Sequence, residues 1–446
     1  MADDVNIKKK SKDGAARKKT GNAAKTAKAA DGAKGPKASK ADKTAKSAKS
    51  AKAKKKAADS GKISRTMRFL PGSDDIKLVV NAAVVAAALL SLLLLVAVGA
   101  DLRPSALVEG YRNKYAFIHA SGDGFPVDIT GGRIISVSGV SSGTAVLTTS
   151  KCLVLDGKGR TVTSEGHLLA SPAMETSCGY ILLFDSLGKD YSLRTLAEEK
   201  CSGETNESII CADVSRSGVF ALVTKSETNN ARLIVLSPDG KTLHKWKSVS
   251  YKISDVSVSP SGKYVAICGL SAQNGNLVST VILQRVGAKE NLKEYTFADT
   301  LITDIAFDGN SRLVVVGDDL AAYISIKNDK DNKIYGYDGR VLNSYDISED
   351  GELALVFSAH SDGRNSSVVV IGDDCAERAH IETDITSPYV DLEDGRISLL
   401  YQSGVSCYNY KGKLLGKFDV QADCQSIFTS GGSLLAKGVM YLNRVG

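Results

Sequence analysis

The stretch Ile253-Ser254-Asp255-Val256-Ser257-Val258-Ser259-Pro260-Ser261-Gly262-Lys263-Tyr264-Val265-Ala266 decides the fold. An apolar strand runs into a small polar turn at Gly262, and a second apolar strand leaves it. The unit recurs, with turn glycines Gly143, Gly179, Gly218, Gly262, Gly309, Gly351, Gly395 and Gly432 at gaps of 36, 39, 44, 47, 42, 44 and 37 residues. Short apolar runs follow them, such as Phe220-Ala221-Leu222-Val223 and Leu313-Val314-Val315-Val316. Runs of this length bounded by glycine read as buried strands. Further turns lie between these hairpins, at Asp156-Gly157, Asp239-Gly240, Asp338-Gly339 and Lys411-Gly412. Two hairpins per unit make a four-stranded meander, the blade of a β-propeller. The expected fold is therefore all-β, an eight-bladed propeller; seven blades stay open because the second unit, Ala170–Thr195, is short.

A blade buries its faces only against its neighbours, so the ring must close. The last unit stops after Val439-Met440-Tyr441-Leu442, one strand short. Residues 115–129 read as an orphan hairpin, Tyr115-Ala116-Phe117-Ile118 and Phe125-Pro126-Val127-Asp128-Ile129 around Gly122-Asp123-Gly124. This segment is expected to complete the last blade and cover its edge.

The rest of the chain divides by charge. Residues 1–75 hold 22 basic and 8 acidic side chains, whereas residues 101–446 hold 34 and 42. Lys34, Lys37, Lys40, Lys43, Lys46, Lys49 and Lys52 recur every third residue, which keeps no stripe on a helix. Between Ile7 and Ile63 no large apolar residue occurs, so residues 1–75 read as a disordered Lys/Ala-rich tail. Leu78–Val98 is an uncharged run interrupted only by Asn81 and Ser91, long enough to cross a bilayer at 1.5 Å per residue. Lys56, Lys62, Arg65, Arg68 and Lys77 precede it and Asp101 follows, so the tail is expected in the cytoplasm and the remainder outside the cell. The organisation read from the sequence is a basic cytoplasmic tail (1–75), a transmembrane helix (76–100), a linker (101–114) and an extracytoplasmic propeller (115–446).

The stretch around Gly262 resembles the Ser-Pro-Asp-Gly-Lys repeat of WD-like and TolB-like propellers. Gly122-Asp123-Gly124-Phe125-Pro126-Val127-Asp128-Ile129, Ser171-Pro172, Tyr180-Ile181-Leu182-Leu183-Phe184-Asp185 and Gly188-Lys189-Asp190-Tyr191 resemble an uncharacterised family of membrane-anchored propellers from clostridial-type bacteria. That resemblance implies the same order of anchor and external propeller, and no assigned chemistry.

Candidate chemistry is sparse. His119, His167, His244, His360 and His380 have no metal-like spacing, and no cofactor or metal is expected. Asn328-Asp329-Lys330-Asp331-Asn332 has alternating oxygens but lacks the Gly and distal Glu of a calcium loop. Of eight cysteines, Cys152, Cys211, Cys268 and Cys407 sit in apolar strands and read as reduced and buried. Cys201 and Cys211 are the first pair to consider for a bridge.

One pattern concerns carboxylates. Asp213, Asp304 and Asp346 stand five residues before a turn glycine, and Asp255 and Asp391 lie nearby in their units. On the innermost strands they could ring the axial channel and bind a cation or basic peptide, or each could hydrogen-bond a neighbouring blade's backbone. The reading is a non-catalytic envelope module for an external protein, peptide or glycan. The alternative is an envelope hydrolase with carboxylates at the channel mouth, which the single Trp246 supports poorly as a sugar platform.

The tail has charge but no aromatic or rigid donor array with which to read a base edge. An isolated 1–75 peptide is expected to bind anionic vesicles and DNA without sequence preference, with affinity falling steeply as salt rises. Binding that survives high salt would contradict this.

Overall fold

The computed structural model describes residues 104–446 apart from 131, 359–365, 385–386 and 403, together with Asn81, Val84, Val85 and Ser91. The tail 1–75 and nearly all of the expected span 76–100 lie outside the described residues. Among the described residues no helix is long and apolar enough to cross a membrane.

Among the described residues, helix α1 (Pro104–Ile118) precedes 32 strands arranged as eight four-stranded antiparallel sheets. The blades are, in order, β2–β5 (Ile134–Gly166), β6–β9 (Pro172–Glu204), β10–β13 (Ile209–Ser248), β14–β17 (Lys252–Ala298), β18–β21 (Ile302–Gly336), β22–β25 (Val341–Thr383) and β26–β29 (Tyr389–Asp419). The eighth is β30 (Ser426–Ser430), β31 (Ser433–Lys437) and β32 (Tyr441–Arg444), with β1 (Val127–Asp128) as its fourth strand. The structure is an eight-bladed propeller, which resolves the count that the short second unit left open.

The core lies between the blades. Each of the eight buried apolar clusters among the described residues fills one seam between consecutive blades. Successive side chains of a strand point to opposite faces of its sheet. Leu313 and Val315 therefore fill the seam behind the fifth blade while Val314 and Val316 fill the one ahead. This is why the second strand of each blade reads as an unbroken apolar run.

Closure is made by β1. Val127 pairs with Leu442 and Asp128 with Tyr441, and the Ile129 amide donates to the Met440 carbonyl at 2.7 Å. Ile129 and Leu442 are buried in the seam between the last and first blades. The remainder of the expected hairpin is corrected. Tyr115–Ile118 is the last turn of α1, and most of the supposed linker 101–114 is its beginning. The segment follows helical periodicity: Asn113 and Phe117, four residues apart, turn inward, while Tyr111 and Tyr115 turn outward.

The seat of α1 explains two turn glycines. In most inner turns the glycine takes positive φ, as Gly262 does at 68°. In the first two blades Ser141 and Cys178 take that conformation instead. Gly143 and Gly179 are needed for space: a Cβ on Gly143 would strike the Leu155 carbonyl oxygen of the paired strand and stand 2.6 Å from the Phe117 ring, and one on Gly179 would strike the Asn113 amide. Ala116 and Phe117 pack on the cluster joining the first two blades.

Ile129→Ala is expected to cost about 2–4 kcal/mol, because it empties a buried seam position. A chain starting at Gly131 loses β1 and should melt lower and aggregate relative to one starting at Asp101, since β32 becomes an open edge. Equal melting curves for the two chains would contradict closure by β1.

Candidate functional site

The five aspartates marked by the sequence all lie on innermost strands: Asp213 on β10 (Ile209–Val214), Asp255 on β14 (Lys252–Val258), Asp304 on β18 (Ile302–Asp308), Asp346 on β22 (Val341–Ile347) and Asp391 on β26 (Tyr389–Glu393). They stand at two levels. Asp213, Asp346 and Asp391 pair with the residue three positions after their turn glycine: Ala221, Ala354 and Ser398. Asp255 and Asp304 stand deeper along their strands, immediately after a register shift in the pairing.

Each carboxylate reaches the next blade. Asp213 Oδ2 accepts from the Val258 amide at 2.6 Å, and Asp255 Oδ2 from the Ile305 amide at 2.9 Å. Asp304 Oδ2 accepts from the Tyr345 hydroxyl at 3.2 Å, and Asp346 Oδ2 from the Leu392 amide at 2.7 Å. Asp391 accepts from both the amide and the hydroxyl of Thr429, at 2.5 and 2.7 Å. Of the two roles the sequence allowed, the carboxylates fill the one of blade-to-blade latch. Ser257 does the same work with a hydroxyl, accepting from the Phe307 amide at 3.2 Å.

Glu175 on β6 (Pro172–Ser177) belongs to the same level as Asp391 and escaped the sequence reading. It pairs with Leu182, three residues beyond Gly179, as Asp391 does relative to Gly395. Its spacing of four residues before the turn glycine matches that of Asp391, so aligning units on their glycines, with Glu admitted beside Asp, would have found it.

The electrostatics follow from confinement. Glu175 has an exposed side chain on a strand crowded by its neighbours, and that crowding pushes its carboxyl up to about 8; the charges of Asp213, Asp255 and Asp304 add to that rise. Burial raises Asp213 to about 7 against the opposing pull of the Val258 and Val214 amides. It raises Asp346 to about 6 against the Leu392 amide. Asp255 and Asp304 are both raised by burial, Asp255 further by the charge of Asp304. Asp391 is raised by burial, against its bonds to Thr429.

The other candidates have structural roles. Asp329, in the oxygen-rich loop, accepts from the Lys293 ammonium at 2.7 Å and the Tyr295 hydroxyl at 2.8 Å, so a lysine already supplies the cation there. His244 bonds Gln284 at 2.9 Å, and His167 bonds the Thr148 carbonyl at 3.0 Å. His360 lies outside the described residues. All eight cysteines are free, the Cys201 and Cys211 pair included. Burial pushes the Cys152 thiol up to about 12 and the Cys268 thiol to about 11, which suppresses thiolate chemistry. Among the described residues no group of three or more His, Cys, Asp or Glu could hold a metal ion.

Residues 136–437 match the Family of unknown function (DUF5711). No curated protein matches the chain. Among solved structures, the chain is similar to BamB from Moraxella catarrhalis at 9% identity and TM-score 0.47, covering 72% of this chain and 99% of that one. It is similar to a eukaryotic initiation factor at 12% identity and TM-score 0.48, over 69% and 82% of the two chains. It is also similar to the WD40 domain of Neurospora crassa Pan2 at 16% identity and TM-score 0.39, over 50% and 71%.

The raised carboxyls set a pH dependence. A folded-state pKa above the unfolded value of about 4 means that the folded chain binds more protons between the two values. Stability from these groups is fully present below about pH 4 and is lost as pH rises toward about 8. The propeller is expected to melt higher at pH 5 than at pH 8, and Glu175→Gln should shrink that difference. Asp346→Ala should cost about 1–3 kcal/mol by stranding the Leu392 amide, and Asp346→Asn, which keeps an acceptor, should cost less. A melting temperature that rises from pH 5 to pH 8 in the wild type but not in Glu175→Gln would show the opposite sign.

Proposed function

The chain belongs to the Family of unknown function (DUF5711), and we propose that it is a membrane-anchored, extracytoplasmic propeller serving as a non-catalytic binding or scaffold module of the cell envelope. The observation that carries this reading is the use made of the axial carboxylates. Acid–base chemistry on a glycan needs two carboxyls free to face the scissile bond across a fixed gap. Here Asp213, Asp255, Asp304, Asp346 and Asp391 each hold a hydrogen bond to the following blade, and moving any of them would break that bond. The single Trp246 packs into the seam between the third and fourth blades, away from any role as a sugar platform.

What remains available to a partner is the surface of the ring. A rigid ring held from one end presents loops of adjacent blades at fixed spacing, which suits recognition of a protein, peptide or glycan. The charge divide across residues 76–100, with a basic side and a mildly acidic side, supports an anchor with the propeller outside the cell.

Protease added to intact cells is expected to remove the propeller and spare the tail; a tail clipped from outside would reverse the orientation. Crosslinking through the propeller in intact cells should capture the same partner from wild type and from Glu175→Gln. Turnover of an envelope polysaccharide that disappears in Glu175→Gln would overturn the non-catalytic reading in favour of the hydrolase.

A further inference from the structure

The outward face of α1 is apolar where a soluble helix would be polar. Val108, Tyr111, Tyr115 and Ile118 are 52, 73, 56 and 68% exposed. Their spacing of three, four and three residues lines them along one stripe of the helix. Arg112 and Lys114, both exposed, flank the stripe on its two sides. The opposite face is committed to the ring, through Asn113, Ala116 and Phe117. Arg112 also pairs with Glu198 of the second blade at 3.2 Å, which fixes the helix against the ring.

We propose that this stripe rests on an anionic lipid bilayer, so that α1 lays the edge of the ring formed by its first two blades against the membrane surface. The inference deepens the membrane-anchored reading above and rests on it. Three observations select lipid over other occupants. Only five residues separate the end of the apolar run at Val98 from the start of α1 at Pro104, and five residues span at most about 18 Å. Two of the four stripe residues are tyrosines, whose amphipathic rings favour the headgroup level. Exposed Lys114 beside the stripe, with exposed Lys158 on the neighbouring turn of the first blade, complements anionic headgroups.

The test uses the full chain reconstituted in vesicles of phosphatidylcholine and phosphatidylglycerol with brominated acyl chains. Tyr111→Trp adds a fluorophore on the stripe. Leu168→Trp adds one in the exposed connection between the first two blades, at the opposite end of their strands from the inner turns that α1 covers. The wild type, with Trp246 alone, sets the baseline. An interfacial helix sinks about 5–10 Å into the headgroup boundary, so most of the added Tyr111→Trp emission should be quenched while that of Leu168→Trp is retained. Unquenched Tyr111→Trp in protein that resists carbonate extraction overturns the inference and leaves the anchor standing. Protein stripped from the vesicles by carbonate overturns both. Unquenched emission together with a Tyr111→Cys disulfide dimer overturns the inference by assigning the stripe to a second copy of the chain.

Discussion

Everything in this molecule depends on the seam between two blades. Each sheet is apolar on both faces, and a blade standing alone would expose both. The eight buried clusters are therefore shared property: none belongs to a single blade, and each disappears if either neighbour leaves. A fully buried Leu or Ile contributes about 1.5–3 kcal/mol, so an unclosed ring forfeits several such contributions at its open seam. Closure is accordingly a condition of folding, and a two-residue strand at one end of the chain matters beyond its length.

Polar groups in such seams face a stricter requirement. A carboxylate between two blades loses water and gains only what its partners return, and here burial outweighs two backbone amides at Asp213. The arrangement is tolerated because the acceptor also satisfies a backbone N–H of the next blade that a strand ladder cannot reach. Each latch points the same way, from one blade to the next along the chain, so the aspartates specify neighbour and register where apolar contacts alone would permit sliding.

The propeller of seven or eight blades, the inner turns and the radial placement of the aspartates were legible in the sequence because each rests on a local rule. Glycine marks a turn, an apolar run marks a strand buried on both faces, and the strand entering the inner turn lies at the axis. Glu175 was missed because its class, Glu in place of Asp, was not admitted at a position whose spacing agreed. Helix α1 was missed for a different reason. Tyr115-Ala116-Phe117-Ile118 is as good a strand as any in the ring when read alone. What makes it helical is tertiary: Phe117 and Asn113 find room only because Gly143 and Gly179, far ahead in sequence, lack side chains. Those glycines were read as turn residues, and a single sequence does not distinguish conformational need from steric need.

The N-terminal segment leans on seams that carry no aspartate latch. From the third blade onward, Asp213, Asp255, Asp304, Asp346 and Asp391 latch five consecutive seams. The seam between the last and first blades has hydroxyls instead: Thr144 donates to Ser430, which donates to the Gly143 carbonyl, both at 2.9 Å. The next seam has Ser138 against Thr176 at 2.7 Å. A hydroxyl pair brings no carboxyl to a backbone N–H of the next blade, as four of the aspartates do. These are the two seams on which the N-terminal segment leans, β1 and Ile129 on the first and α1 on the second. Three seams carry no aspartate latch. That between the second and third blades is bridged by backbone bonds, the Leu187 amide to the Ile209 carbonyl at 2.9 Å and the Ile209 amide to the Gly188 carbonyl at 2.7 Å. The chain reinforces the other two with apolar contact at the joint where the ring closes. It also places the exposed stripe of α1 over that same part, so whatever engages the stripe acts on the joint at which the ring closes.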